Sequence, residues 1–272
     1  MAEAARGIAA QPKCLVCSQP ADKRCGTCKS AFYCSGAHQK QHWGSHKATC
    51  KTTKPTIVLV SLSKLGYLDT MYARFFEPLR TKATLSEALS PDTAISAISL
   101  PSVAAVIVTD AGIAERKNRR VVDQLVQYAL TGGTVIFGMH FANFIRAEDG
   151  ERMWRDVWGL PWSTGSMRRT AFALNRQSTL VLERPKKCVE GLSASYQMKA
   201  LHIGGIRQEE GVYVASIAEY EEGEEEEGVA PMMNFDEVPV AFGRYGEGFV
   251  GYMGDTVAEP QSAIALLAMC GF

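Results

Sequence analysis

Six of the eight cysteines fall between residues 14 and 50, and with two histidines they form four close pairs. The pairs are Cys14 with Cys17, Cys25 with Cys28, Cys34 with His38, and His46 with Cys50. A Cys-x2-Cys pair fits a tight turn that aims two sulfurs at one ion. A pair at i and i+4 shares one helix face, so both side chains reach the same ion. The donors are enough for two tetrahedral sites, each of three thiolates and one imidazole, a set that selects zinc over harder cations. Protein fills every position, so the sites are structural and leave no place for water or substrate. A segment this short cannot bury a self-sufficient core. Zinc must then supply its folding free energy, on the order of 10 kcal/mol per site. A disulfide-stapled knot is the competing reading, and the paired histidines argue against it.

The run Tyr33-Cys34-Ser35-Gly36-Ala37-His38-Gln39, followed by Trp43, His46-Lys47 and Cys50, resembles the MYND zinc finger family over residues 14–50. In that family the pairs interleave. The resemblance implies one zinc on Cys14, Cys17, Cys34 and His38, and another on Cys25, Cys28, His46 and Cys50. The chain departs from the family at His38, where the family usually has cysteine. His42, eight residues after Cys34, is the rival ligand, and the family register favours His38. The family binds other proteins, taking short proline-containing peptides in a groove between a strand pair and the helix. Gln39 and Trp43 match the positions that line the groove, although Trp43 can also serve as a packing residue of the small core. Extended proline segments suit such a groove because they lose little ordering entropy on binding.

The overall charge is balanced, with 29 basic and 29 acidic side chains among 272 residues. Residues 1–54 nevertheless carry nine Lys/Arg against two Asp/Glu. Six thiolates and two Zn²⁺ would lower that formal +7 to about +5. So diffuse a charge gives no reason to expect direct nucleic-acid binding. No run approaches the roughly eighteen apolar residues of a membrane span. The segment Met1 to Gln11 lacks the apolar stretch of a secretory signal. The expectation is an intracellular protein, with nucleus and cytoplasm both open.

The expected domains are a finger over 12–51, a linker over 52–55 and an α/β domain over 56–272. Thr56 to Leu62, Ala104 to Val108 and Thr134 to Phe137 are apolar and rich in β-branched residues, which suits buried parallel strands. Tyr67 to Leu79 has helical spacing and is expected to end near Pro78, and Asn118 to Leu130 is an amphipathic helix stopped by Gly132-Gly133. Strands alternating with helices imply right-handed crossovers and a parallel sheet. Leu174 to Leu182, Val212 to Ile217, Val238 to Phe242 and Gly248 to Met253 are shorter candidate strands, and Pro260 to Met269 a closing helix. The acidic run Glu219 to Gly228 reads as a solvated loop, with a contact to the basic finger as the sharper alternative.

Gln124 to Phe141, with its Gly-Gly turn, its strand and Gly138-Met139-His140, and the later Gly-Tyr-Met-Gly-Asp at 251–255 resemble the glutamine-amidotransferase-like superfamily, nearest its ThuA-like branch. The resemblance covers residues 56–143 and 238–272 and implies a flavodoxin-like parallel sheet, to which the shorter candidate strands would add antiparallel pairs. Amidotransferases carry a nucleophilic cysteine in the turn after the third strand, where this chain has Met139 and His140. Cys188 and Cys270, the only cysteines beyond the finger, lie at no such turn, so a cysteine-nucleophile mechanism is not expected. Asp110, His140 and Asp255 follow candidate strands, and strand ends are where such sheets bind ligands. They are candidate ligand residues, with loop caps and a structural histidine as the plainer reading. His202 reads as structural and Arg168-Arg169 as surface or an anion contact.

The leading functional expectation is a protein-interaction module, with a MYND finger fused to a non-catalytic amidotransferase-like domain. The alternative is a hydrolase-like or sugar-modifying enzyme using His140 with Asp110 or Asp255. A MYND-bearing lysine methyltransferase is set aside, because the chain lacks the length and the methyl-donor site.

Overall fold

The computed structural model describes residues 12–28, 30–52, 54–216 and 233–272. The acidic run 219–228 therefore lies outside the described residues. At the N-terminus, strands β1 (Lys23–Arg24) and β2 (Phe32–Tyr33) pair antiparallel, and helix α1 spans Gly36–Thr52. Few apolar residues order this unit. Besides four cysteines, its buried cluster holds only Ala21, Ala31, Phe32 and Tyr33.

The larger unit is a mixed α/β sheet of eleven strands. Strands β3 (Thr56–Val60), β4 (Thr84–Ala88), β5 (Val103–Val108), β6 (Thr134–Phe137) and β13 (Gly248–Met253) form its parallel part, in the spatial order β4-β3-β5-β6-β13. Helices α2 (Leu68–Met71), α3 (Ala73–Lys82), α4 (Pro91–Ile98) and α5 (Arg119–Leu130) fall between these strands. The short helices α6 (His140–Phe144) and α7 (Ala147–Met153) follow β6. An antiparallel extension then adds β7 (Ser163–Leu174), β8 (Ser195–Gly204), β9 (Gly211–Ser216), β10 (Met233–Asn234), β11 (Glu237–Val238) and β12 (Val240–Tyr245). Within it lie α8 (Thr179–Glu183) and α9 (Lys186–Val189), and α10 (Pro260–Met269) ends the fold.

The parallel strands are apolar throughout because both faces are covered. Along β3, Ile57 and Leu59 join one core with Phe75, Phe76 and the α10 side chains, while Val58 and Val60 join the other with the α5 residues Val121 and Leu125. This is the period-two alternation of a strand packed on two sides.

Two expectations need correction. Leu174 to Leu182 is not a strand. Asn175 turns the chain by accepting from Gln177 N–H (3.0 Å) and donating to the Gly211 carbonyl (2.9 Å), and α8 follows. The strand in this region is β7, upstream. The helix expected to stop near Pro78 runs on to Lys82, because burial of Phe75, Phe76 and Leu79 offsets the backbone hydrogen bond that proline cannot donate. The edge strand β4 and the long β8 carry too many polar residues to stand out by hydrophobicity.

The finger touches the sheet domain at the start of β5. Arg24 Nη1 donates to the Val103 carbonyl (3.1 Å), which also accepts from the Tyr128 hydroxyl (3.2 Å). The same guanidinium stacks over Phe32 at 5.0 Å. On the linker side, Lys54 Nζ donates to the Arg80 carbonyl (3.0 Å).

Candidate metal centre and strand-end turn

The first Cys-x2-Cys pair sits on a turn closed by Ser18 N–H on the Cys14 carbonyl (2.8 Å), with Ser18 at φ +60°. The second lies between β1 and β2, tied by Cys25 N–H to the Ala31 carbonyl (2.8 Å). Ser35, just before α1, accepts from His38 N–H (3.2 Å), an N-terminal capping contact that fixes where the helix starts.

Two groups of donors result: Cys14, Cys17, Cys34 and His38, and Cys25, Cys28, His46 and Cys50. Within each, the ligand atoms all lie within 4.8 Å of one another. In the first, Cys34 Sγ is 3.1 Å from His38 Nδ1, and Cys17 Sγ is 3.5 Å from Cys34 Sγ. In the second, Cys28 Sγ is 3.4 Å from His46 Nε2, and Cys25 Sγ is 3.6 Å from Cys50 Sγ. A zinc tetrahedron with ligand lengths of about 2.0–2.3 Å has edges of roughly 3.3–3.8 Å. The soft thiolate-imidazole donor sets and this spacing fit two zinc ions, held as structural sites. His42 is placed differently from His38. Its Nδ1 pairs with the Tyr33 hydroxyl (3.0 Å) and its ring stacks on His46 at 5.7 Å. The second group is buried throughout, whereas three residues of the first are partly exposed.

Gln39 is partly buried, and Trp43, one turn along α1, is 38% exposed. The Trp43 ring meets the ring of His46 edge-on at 6.0 Å, so its position depends on a zinc ligand.

At the other end of the large domain, Asp110, His140 and Asp255 stand just beyond β5, β6 and β13. Asp110 Oδ1 accepts from Ser63 N–H (3.1 Å) and Gly112 N–H (2.9 Å), which caps the turn after β5. Asp255 Oδ1 accepts from Val257 and Ala258 N–H, and Oδ2 from Glu259 N–H at 2.8 Å, which organises the approach to α10. Burial raises the pKa of both carboxyls, although these amide contacts favour ionisation. Burial lowers the His140 pKa, so the imidazole is neutral at pH 7.

The turn before His140 is strained. Met139, a buried non-glycine residue, holds φ +59° and ψ −129°. Gly138 permits the close approach of β6 to β13, since a Cβ there would lie 3.2 Å from Met253. The geometry is that of a sharp strand-to-helix elbow, and its strained position carries a thioether, which has no proton to lose and cannot act as an oxygen or thiol nucleophile does. Cys188 and Cys270 are buried elsewhere, and burial pushes the Cys270 thiol up to about 12.

Sequence reasoning missed the residues around His140. Tyr67, Tyr72 and Phe144 place their rings 5.0, 5.4 and 5.3 Å from its ring, and Asn143 donates to the Tyr72 hydroxyl (2.7 Å). Tyr67 and Tyr72 lie on a segment read only for its helical spacing, and nothing local tied them to residue 140. His202 is fully buried, with Nδ1 donating to the Ser166 carbonyl (2.8 Å), and Arg169 pairs with Glu259 (3.3 Å).

Residues 14–50 match the family model of the MYND finger. MYND fingers are protein-interaction modules. Among solved structures the chain is similar to a thuA-like protein from Bacteroides uniformis, at 14% identity and TM-score 0.46, over 79% of this chain and 90% of that one. A thuA-like protein from Parabacteroides merdae matches at 13% identity and TM-score 0.47, over 80% and 89%. A β-galactosidase from Halorubrum lacusprofundi matches at 17% identity and TM-score 0.43, over 80% of this chain. The chain spans only 30% of that β-galactosidase. Among the described residues, no helix is long and apolar enough to cross a membrane.

Proposed function

We propose that this protein is an adaptor whose two-zinc finger captures a proline-containing segment of another protein, and whose α/β domain is a non-catalytic carrier. The observation that carries the first half is Trp43, a large aromatic side chain left 38% exposed on α1 and held edge-on against a zinc ligand. An aromatic surface fixed by a metal-organised helix suits an extended, low-entropy proline peptide, with Gln39 one turn away to hydrogen-bond its backbone. Met139 at the strained turn supports the second half. The Asp255 carboxylate supports it too, because backbone amides occupy both its oxygens. The alternative hydrolase-like or sugar-modifying reading needs a carboxylate that exchanges a proton with His140; Asp110 keeps one oxygen unpartnered, but neither imidazole nitrogen is bonded to it, which gives that reading less support.

The test is an array of proline-containing peptides probed with the full zinc-loaded chain and its Trp43→Ala variant. Peptides retained by the wild type should bind the variant at least ~10-fold more weakly, as truncation of an aromatic anchor does. Equal binding of the same peptides by both proteins would refute the assignment of the groove.

A further inference from the structure

His140 is 1% exposed, and neither of its ring nitrogens has a hydrogen-bond partner. Every other described histidine has at least one ring nitrogen engaged. Buried polar atoms left unpaired destabilise a fold, and an apolar ring of the same shape would suit this position better. The position is also held at a cost, since the residue before it is strained. Unpaired polar atoms and strained backbone together mark sites kept for a ligand.

We propose that His140 is the floor of a binding site for a small neutral molecule that carries a hydroxyl beside a ring face. The walls are aromatic. Tyr67, 52% exposed, comes from the segment after β3, and Phe144, 50% exposed, from α6, and both rings lie against the imidazole. Tyr67 has no other ring contact among the described residues, so it can turn aside and open the nitrogens to solvent.

The charges nearby set the ligand's own charge. Asp255 spends both oxygens on backbone amides, and Lys64, in the same segment as Tyr67, is bonded to Asp69 (2.8 Å) and Glu87 (2.6 Å). Asp110 keeps one oxygen unpartnered. None of these side chains is a free cation that would recognise an anion, and an unpartnered carboxyl oxygen accepts from a hydroxyl. A neutral imidazole presents one N–H donor and one bare acceptor, and a hydroxyl answers both. The Tyr67 and Phe144 rings offer stacking surface to a flat aromatic ring or to the apolar face of a saturated one.

The experiment uses the full zinc-loaded chain with ¹⁵N-labelled histidine, titrated in separate arms with phenol and with a methyl glucoside. The five histidines give few enough signals to follow one by one. At least one probe should shift the His140 nitrogens saturably while the signals of His38 and His46 stay in place. The responding arm identifies the kind of ring. Tyr67→Ala should weaken that probe about 3- to 10-fold. His140→Phe should abolish the response and melt at or above the wild-type temperature, because it removes two unpaired polar atoms. The proposal is overturned if neither probe shifts His140, or if Tyr67→Ala binds as well as wild type. It is overturned equally if His140→Phe melts well below wild type, since the nitrogens would then already be bonded within the protein.

Discussion

Cys34→Ser puts the metal argument under the most strain. Cys34 Sγ sits 3.1 Å from His38 Nδ1 and 3.5 Å from Cys17 Sγ, at the middle of the first donor group. A serine hydroxyl does not ionise near neutral pH and makes a poor zinc ligand, so the first ion is lost. Its contribution is on the order of 10 kcal/mol. Among the described residues the finger buries two large non-ligand side chains, Phe32 and Tyr33, each worth about 1.5–3 kcal/mol. They cannot replace the metal, so the Cys14–Cys17 turn and the first turn of α1 lose their order. The second group draws on Cys25, Cys28, His46 and Cys50, all buried, and keeps its ion. The sheet domain has its own two cores and should melt within roughly 2–4 °C of wild type, the shift that a lost contact of ~1 kcal/mol produces. Metal analysis should find two zinc ions per wild-type chain and one per variant chain. Hydrogen exchange should accelerate over residues 14–18 and 34–39, and not over 25–28 or 46–50. A variant that retains two zinc ions, or a sheet domain that unfolds with the finger, would refute the reasoning.

Acidification should cost stability through His140. Burial holds its pKa below 6.5, so as the pH falls through that value the unfolded chain takes up a proton that the folded chain refuses. Stability then declines by up to about 1.4 kcal/mol per pH unit for this group. Denaturant melts between pH 7.5 and about 5 should show a shallower decline for His140→Phe than for wild type, with His202 and the zinc ligands common to both; parallel slopes would contradict the assignment. Gly133→Ala would drive a Cβ to 2.3 Å from the Tyr128 ring, which is buried and tied by its hydroxyl to Val103. Overpacking of this kind costs about 1–3 kcal/mol, seen as a drop of roughly 2–4 °C in Tm per kcal/mol, and an unchanged Tm would show that the ring gives way freely.

The metal centre was legible because its chemistry is local. The spacing between His46 and Cys50 already states that two donors share a helix face, whereas Cys34 lies just ahead of α1 and meets His38 from the turn before it. Separating His38 from His42 took the family register, since both recur at helical spacing, and the structure places His42 on Tyr33 instead. The parallel strands were legible for a different reason: TIVLV and TVIF are apolar on both faces only if both faces are covered. The antiparallel extension hid itself. β7 carries Ser166, Arg168 and Arg169 within one strand, and β8 sets Gln197 and Lys199 among its apolar residues. Helix α4 did leave a sign, Ser90-Pro91-Asp92-Thr93, in which Ser90 and Thr93 cap each other reciprocally. The surroundings of His140 could not be read in advance, because Tyr67 and Tyr72, after β3, meet His140 and Phe144, after β6, only once those strands have aligned.

Arg24 reaches the first residue of β5, and Asp110 stands just past its last. Six residues of strand, about 20 Å, separate the two. The zinc module is therefore seated where the strands begin, and His140 stands at the pole where they finish. If the finger takes a protein and the strand-end turn a small molecule, as proposed above, the two would sit about 20 Å apart and need not crowd one another.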